Sequence, residues 1–386
     1  MAKNANRFDQ GDALSKQTIA KEKKANENTK ANRKRNSRAK TIIFAAELVV
    51  LLILLGGLYL LRDFGDTGIV RVEFKPEDIQ MNEPVKENEI MKGYRNIALF
   101  GVDSVSGALT KNTRSDSIII ASVNQDTGDV KLVSVYRDTY LNLGNGKYAK
   151  CNSAYMYGGA KQAMTMLNRN LDLDITDFVT VGFEGLKATI DALGGVWVNV
   201  EKAEIVHLNN YQITMAKDLE CDYKKVKEPG YQLLDGLQAV AYCRIRYTKG
   251  NDFKRAERQR EVINAIAQQA QQADAQTLID IANKVSESGA VYTSLELTEI
   301  LELLKSISKY EIVGETGFPA EKYRGTAKMG SDGDCVLPLD LEKNVILLHN
   351  FLFEAQDYEV SDTVIDYSKE IREDVAVYQP NMKYPN

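Results

Sequence analysis

From residue 96 onward the apolar positions fall into short runs separated by polar or glycine-containing turns. Residues 96–102 (NIALFGV), 117–124 (SIIIASVN) and 130–136 (VKLVSVY) have the length and β-branched content of strands. The second and third are joined by QDTGD, a hairpin signal. Their nearly continuous apolar character predicts strands buried on both faces, with helices above and below. A helix is predicted over 152–171, with Asn152 or Ser153 as N-cap, and another over 184–193, ending at Gly194-Gly195. Residues 196–200 (VWVNV) and 240–247 (VAYCRIRY) read as further strands. A long helix is expected from 253 to about 285, with a break near Asp274, then a helix at 294–307, a strand at 310–314 and a helix at 340–354. The pattern is that of an α/β fold with a mixed central β-sheet sandwiched between helices.

The N-terminus has a different pattern. Residues 1–40 hold 12 Lys or Arg against 4 Asp or Glu and almost no large apolar side chains, and read as a disordered basic tail. Residues 41–61 form a 21-residue apolar stretch with one charge, Glu47, long enough to span a bilayer as a helix. Basic residues before it and Arg62, Asp63 and Asp66 after it place the tail in the cytoplasm and everything beyond outside. The stretch is longer than a signal peptide's apolar region, and no small-residue cleavage site follows it. Residues 62–91 read as a stalk with an entry strand near 69–74, residues 92–355 as the extracytoplasmic folded domain, and 356–386 as a frayed C-terminal tail. The expected location is therefore a single-pass cell-membrane protein.

Charge and composition narrow the chemistry. Residues 41–386 carry 37 basic and 50 acidic side chains, a formal charge of −13, which excludes a nucleic-acid partner for this part. The basic tail suits anionic membrane lipid. Cys151, Cys221, Cys243 and Cys335 are too far apart for CxxC redox or zinc patterns; Cys221 and Cys335, in polar loop-like surroundings, are the candidate disulfide pair. His207 and His349 are the only histidines, which leaves no material for a serine triad or a histidine zinc site.

Against this acidic background, arginines concentrate in one place. A strand over 240–247 puts Arg244 and Arg246 on one face, and on the helix that follows Arg255 and Gln259 share a face, with Asp252 placed to cap it. Guanidinium forks match phosphate oxygens bidentately, so this cluster points to a phosphate or pyrophosphate site. Lys254, Arg258 and Arg260 read instead as ion-pairing residues of a solvated helix. Asp103 and Asp116 lie at strand ends, where α/β sheets gather ligands, and two acids beside phosphate suit Mg²⁺; each also reads as a turn residue. Arg137 and Asp138 close the third strand, where such a pair is ordinarily a surface contact, and Lys150 reads as a loop lysine.

The series NIALFGVDS, TRSDSIIIASVN, VKLVSVYRDTYLNL, YAKCNSAYMYGG, DALGGVWVNV and LDGLQAVAYCRIRYTKGNDFKRAERQRE resembles the LytR-CpsA-Psr family of cell-wall enzymes, strongly over about 92–270 and loosely to about 355. The resemblance implies an α-β-α fold. It implies a phosphotransferase that moves a phosphate-linked glycopolymer, such as teichoic acid or capsule, from a polyprenyl pyrophosphate carrier to peptidoglycan. Asp103 and Asp116 are then expected to hold Mg²⁺ (or Mn²⁺). Arg137, Arg244, Arg246 and Arg255 are expected to bind pyrophosphate oxygens with help from Arg114, Lys150 and Gln259, while Asp252 orients the arginines. Whether Asp103 ligates metal or takes a proton stays open. Cys151 stands where the resemblance leads to an apolar residue. A hydrolase using the same site and a non-enzymatic envelope or regulatory protein are the competing readings.

Overall fold

The computed structural model describes residues 69–72, 74–102, 109–110, 112–249, 251–272, 291–295 and 311–385. The tail at 1–40, the apolar stretch at 41–61, Asp103, the break near Asp274 and most of the helix expected over 294–307 lie outside these residues. Among the described residues no helix is long and apolar enough to cross a membrane.

The described strands run β1 (Ile69–Arg71), β2 (Tyr94–Val102), β3 (Ser115–Asn124), β4 (Asp129–Val135), β5 (Tyr140–Asn142), β6 (Tyr148–Lys150), β7 (Asp177–Gly182), β8 (Val196–Val200), β9 (Gly230–Leu234), β10 (Val291–Thr293), β11 (Glu311–Phe318), β12 (Arg324–Lys328) and β13 (Asp334–Pro338). Seven form one mixed sheet in the order β1-β10-β7-β2-β3-β4-β11. The β2–β3 and β3–β4 pairs are antiparallel, as the QDTGD hairpin requires, while β2–β7 and β4–β11 are parallel. The longer helices are α1 (Ser153–Leu171), α2 (Phe183–Ala192), α3 (Ile205–Asp218), α4 (Gly236–Cys243), α5 (Asn251–Gln272), α6 (Leu341–Phe353) and α7 (Asp362–Tyr378).

Side-chain alternation along the strands divides the interior in two. Ala98, Phe100, Ile118, Ile120, Val133 and Phe178 pack with α1, α6 and α7 on one face. On the other, Leu99, Ile119 and Val179, aligned in register, face α2 and α5. Helices α2 to α5 and the β8–β9 ribbon share a separate apolar core.

Four expectations are corrected. Residues 240–247 are not a strand: Val240 lies in α4 and the chain leaves the helix at Arg244. The Asp235 side chain accepts from Gln238 N–H while the Gln238 side chain accepts from Asp235 N–H, a capping box that starts a helix buried on all sides. Part of the expected stalk is folded onto the domain, since β1 pairs with β10 and Ile79, Val85 and Met91 are buried in the core. The C-terminal tail is likewise ordered: α7 buries Val364, Ile371 and Val375. All four cysteines are free thiols, so Cys221 and Cys335 are not paired.

Candidate active site

The carboxyl-side ends of the central strands meet the start of α5. Asp116 sits at the beginning of β3 and Arg137 two residues beyond the end of β4, so the antiparallel hairpin brings them to the same edge. Arg137 Nη1 donates to Asp116 Oδ1 at 2.6 Å, and its Nε donates to Asp252 Oδ2 at 3.3 Å. Asp138 Oδ2 lies 3.5 Å from the same Nε, and Lys150 Nζ reaches Asp138 Oδ1 at 3.4 Å. Arg246 Nη2 donates to Asp116 Oδ2 at 3.2 Å. Arg255 Nη2 donates to the Asp116 carbonyl at 3.2 Å, and its Nη1 lies 3.2 Å from Asp252 Oδ1 without the direction of a hydrogen bond.

The sequence-derived candidates thus sort plainly. Arg137, Asp116, Arg246, Asp252, Arg255 and Lys150 come together. Arg246 does so from the loop after α4 rather than from a strand. Asp252 lies inside the first turn of α5, with its carboxylate turned to Arg137 and Arg255. Gln259 shares the inward face of α5 with Arg255, as expected from their spacing. Arg244 stands with its guanidinium carbon 4.8 Å from the Phe183 ring and 5.5 Å from that of Tyr211. Arg114 is exposed just before β3. Asp103 follows the last residue of β2 but lies outside the described residues. The chain that returns from it is secured by the Tyr155 hydroxyl donating to the Leu109 carbonyl. Gly159, at φ +65°, interrupts α1 and leaves room for the Thr110 carbonyl, which a Cβ would strike.

Electrostatics show what the cluster lacks. Burial raises the Asp116 carboxyl, but Arg137, Arg255 and Arg246 outweigh it and hold it below the ordinary range. Burial, then the neighbouring Arg137, push Arg255 down to about 10. Its side chain is only 5% exposed, and its Nε has no hydrogen-bond partner among the described residues. A buried guanidinium with an unsatisfied donor is costly, and an anion is the natural complement. Asp138, read from the sequence as half of a surface pair, is half-buried; desolvation and a hydrogen bond shared with Asp252 raise it to about 6. That bond and the surrounding arginines overcome burial and keep Asp252 well below the usual range. Only its position between Arg137 and the returning chain could have marked Asp138.

Lys254, Arg258 and Arg260 do not join the cluster. Lys254 pairs with Glu201 and Glu257, and Arg260 reaches Glu315 and Ser134. Arg258 is fully buried against Glu204 rather than solvated.

Beside the charges lies an apolar cavity of about 160 Å³ between the sheet and helices α2 and α5. Leu99, Ile119, Val179 and Val181 form its floor, with Leu186 and Ile263 among the helix residues above. Asp116, Ser117 and Gln259 line both this cavity and the small polar recess containing Arg137, Asp252 and Arg255. The site therefore sets a cationic recess directly beside an apolar one.

Residues 71–333 match the LytR_cpsA_psr family. The chain belongs to the LytR-CpsA-Psr family. Polyisoprenyl-teichoic acid–peptidoglycan teichoic acid transferase TagU of Enterococcus faecalis is 35% identical over 195 residues, 50% of this chain and 59% of that protein. Biofilm regulatory protein A of Streptococcus mutans is 30% identical over 238 residues, 57% of this chain and 56% of its own length. The chain thus spans under two thirds of either relative. The LytR-CpsA-Psr fold is seen also in YwtF (TagT) of Bacillus subtilis with bound octaprenyl pyrophosphate lipid. That structure gives a TM-score of 0.52 at 21% identity, over 73% of this chain and 99% of that one.

Proposed function

We propose that this LytR-CpsA-Psr protein transfers a phosphate-linked glycopolymer from a polyprenyl pyrophosphate carrier to a hydroxyl of peptidoglycan. The observation that carries this is the adjacency of two environments: a recess of arginines with an unsatisfied buried donor, continuous through Asp116 and Gln259 with an apolar cavity. The curated relative's name supplies the reaction class, and TagT's bound lipid has the same division into pyrophosphate and apolar chain.

In this reading the polyprenyl chain lies between the sheet and α2/α5, and the pyrophosphate meets Arg137, Arg246 and Arg255, with Arg244 at the Phe183 side. The acceptor hydroxyl oxygen attacks the sugar-side phosphorus, the P–O–P bond breaks, and polyprenyl phosphate leaves with the bonding electrons. Charge grows on that leaving phosphate, and arginines already fixed by Asp116, Asp138 and Asp252 stabilise it more in the transition state than in the ground state. The hydroxyl proton goes to a carboxylate, for which Asp103 is the candidate by position in the sequence.

Mg²⁺ or Mn²⁺ belongs to the same proposal. Among the described residues no three His, Cys, Asp or Glu side chains group to hold an ion. A pyrophosphate brings its own oxygens, however, and Mg²⁺ needs only one or two carboxylates beside them. Asp116, whose two carboxylate oxygens also accept from Arg137 and Arg246, and Asp103 are the carboxylates that would hold it. When bound, the ion would neutralise charge on the phosphate oxygens. A membrane anchor at 41–61, holding the site outside the cytoplasm within reach of a bilayer-embedded carrier, completes the proposal.

The test is to incubate the protein with a polyprenyl-pyrophosphate-linked sugar and peptidoglycan oligomers. A product in which sugar phosphate is joined to peptidoglycan supports transfer. Free sugar phosphate without a joined product would make the protein a hydrolase instead.

A further inference from the structure

Arg258 lies one turn beyond Arg255 on α5, yet its guanidinium points away from the cluster into the α2–α5 core. Its side chain is 1% exposed and that of Glu204 is 0% exposed. Arg258 Nε donates to Glu204 Oε1 at 2.7 Å, Nη1 to the Ile245 carbonyl at 3.0 Å, and Nη2 to the Thr248 hydroxyl. The guanidinium carbon also lies 5.8 Å from the Tyr242 ring. Glu204 is held in turn, its Oε2 accepting from the Glu201 N–H at 2.7 Å.

Ile245 is the residue between Arg244 and Arg246. The segment leaves α4 on the backbone bonds Arg244 N–H to Ala241 O at 3.1 Å and Ile245 N–H to Tyr242 O at 3.2 Å. Beyond them Arg258 holds the segment at two points, the Ile245 carbonyl and the Thr248 hydroxyl. Arg246 itself is 37% exposed and reaches Asp116 by a single bond of 3.2 Å. Such a side chain depends on its backbone being fixed.

We infer that Arg258 is a positioning residue: its buried fork, neutralised by Glu204, clamps the 244–248 loop so that Arg246 faces the anion site. This rests on the pyrophosphate reading above. A single ammonium cannot reproduce the fork, so Arg258→Lys keeps a charge for Glu204 but loses at least one loop anchor. Thr248→Val removes the hydroxyl anchor alone and leaves the Arg258–Glu204 pair intact.

The experiment titrates geranylgeranyl diphosphate into the full chain and follows amide exchange in the 244–248 loop. Arg258→Lys should weaken binding about tenfold and speed exchange in that loop, and Thr248→Val should do the same to a smaller extent. Placed in an Arg246→Ala background, either substitution should weaken binding less than about twofold further, because it acts through Arg246. Losses that multiply, or unchanged binding in Thr248→Val together with unchanged loop exchange, would overturn the assignment. Should Arg258→Lys not fold, Thr248→Val carries the same cycle. A wild-type chain that does not bind the probe overturns the pyrophosphate reading and this inference with it. Binding by the wild type with multiplying losses overturns only the role of Arg258.

Discussion

Replacing Arg255 with methionine should move stability and ligand binding in opposite directions. Arg255 is buried beside Arg137, and its pKa falls to about 10. Relative to an ordinary arginine, that depression corresponds to about 3 kcal/mol against the charged form. Its compensation is incomplete: one hydrogen bond to the Asp116 carbonyl, proximity to Asp252, and an Nε left without a partner. Asp252 keeps Arg137 as a partner when Arg255 is removed. An apolar side chain of similar length should therefore make the protein more stable by about 1–2 kcal/mol, a rise in Tm of a few degrees. The same change removes a fixed positive charge from the leaving phosphate, so transfer should fall by about 10²–10³. Thermal unfolding and steady-state transfer on one preparation measure both. A lower Tm with transfer near wild type would show Arg255 to be a structural cation and refute the reasoning.

Val181→Phe, which fills the apolar cavity, should weaken binding of a long-chain polyprenyl diphosphate at least tenfold while leaving inorganic pyrophosphate affinity within about twofold, by titration of both. Asp138 carries a pKa raised to about 6 by burial and its bond to Asp252. The unfolded chain releases that proton near pH 4 and the folded protein holds it to about 6, so stability should fall as pH rises across that window. Asp138→Asn should flatten the fall, and an unchanged pH profile of denaturant unfolding would exclude Asp138 as its source. Chelation should abolish transfer and added Mg²⁺ restore it; transfer that survives exhaustive chelation rules the ion out of the step.

Much of the fold was legible because its strands follow simple rules. The runs at 96–102, 117–124 and 130–136 and the QDTGD turn all sit where apolar length and turn chemistry put them. The helices at 153–171 and 341–353 were equally plain. Residues 240–247 misled because VAYCRIRY alternates at its end, while the deciding signal, the Asp235–Gln238 capping box, lies upstream of the run. The C-terminal helix was missed because its buried residues, Val364, Ile371 and Val375, are spread thinly among charges. In the site, arginine density pointed to the cluster that Arg137, Arg246 and Arg255 form around Asp116. The apolar cavity is built from the outward alternates of three strands that are distant in sequence, Leu99, Ile119 and Val179, and only their register brings them together.

The central claim concerns which phosphorus is attacked, and label tracking decides it. A polyprenyl pyrophosphate sugar is prepared with ³²P in either the sugar-side or the lipid-side phosphate and incubated with the protein and peptidoglycan oligomers. The arrangement of arginines beside an apolar cavity predicts that sugar-side label enters peptidoglycan, while lipid-side label remains in polyprenyl phosphate. Sugar-side label recovered only in soluble sugar phosphate, or lipid-side label in peptidoglycan, would contradict it.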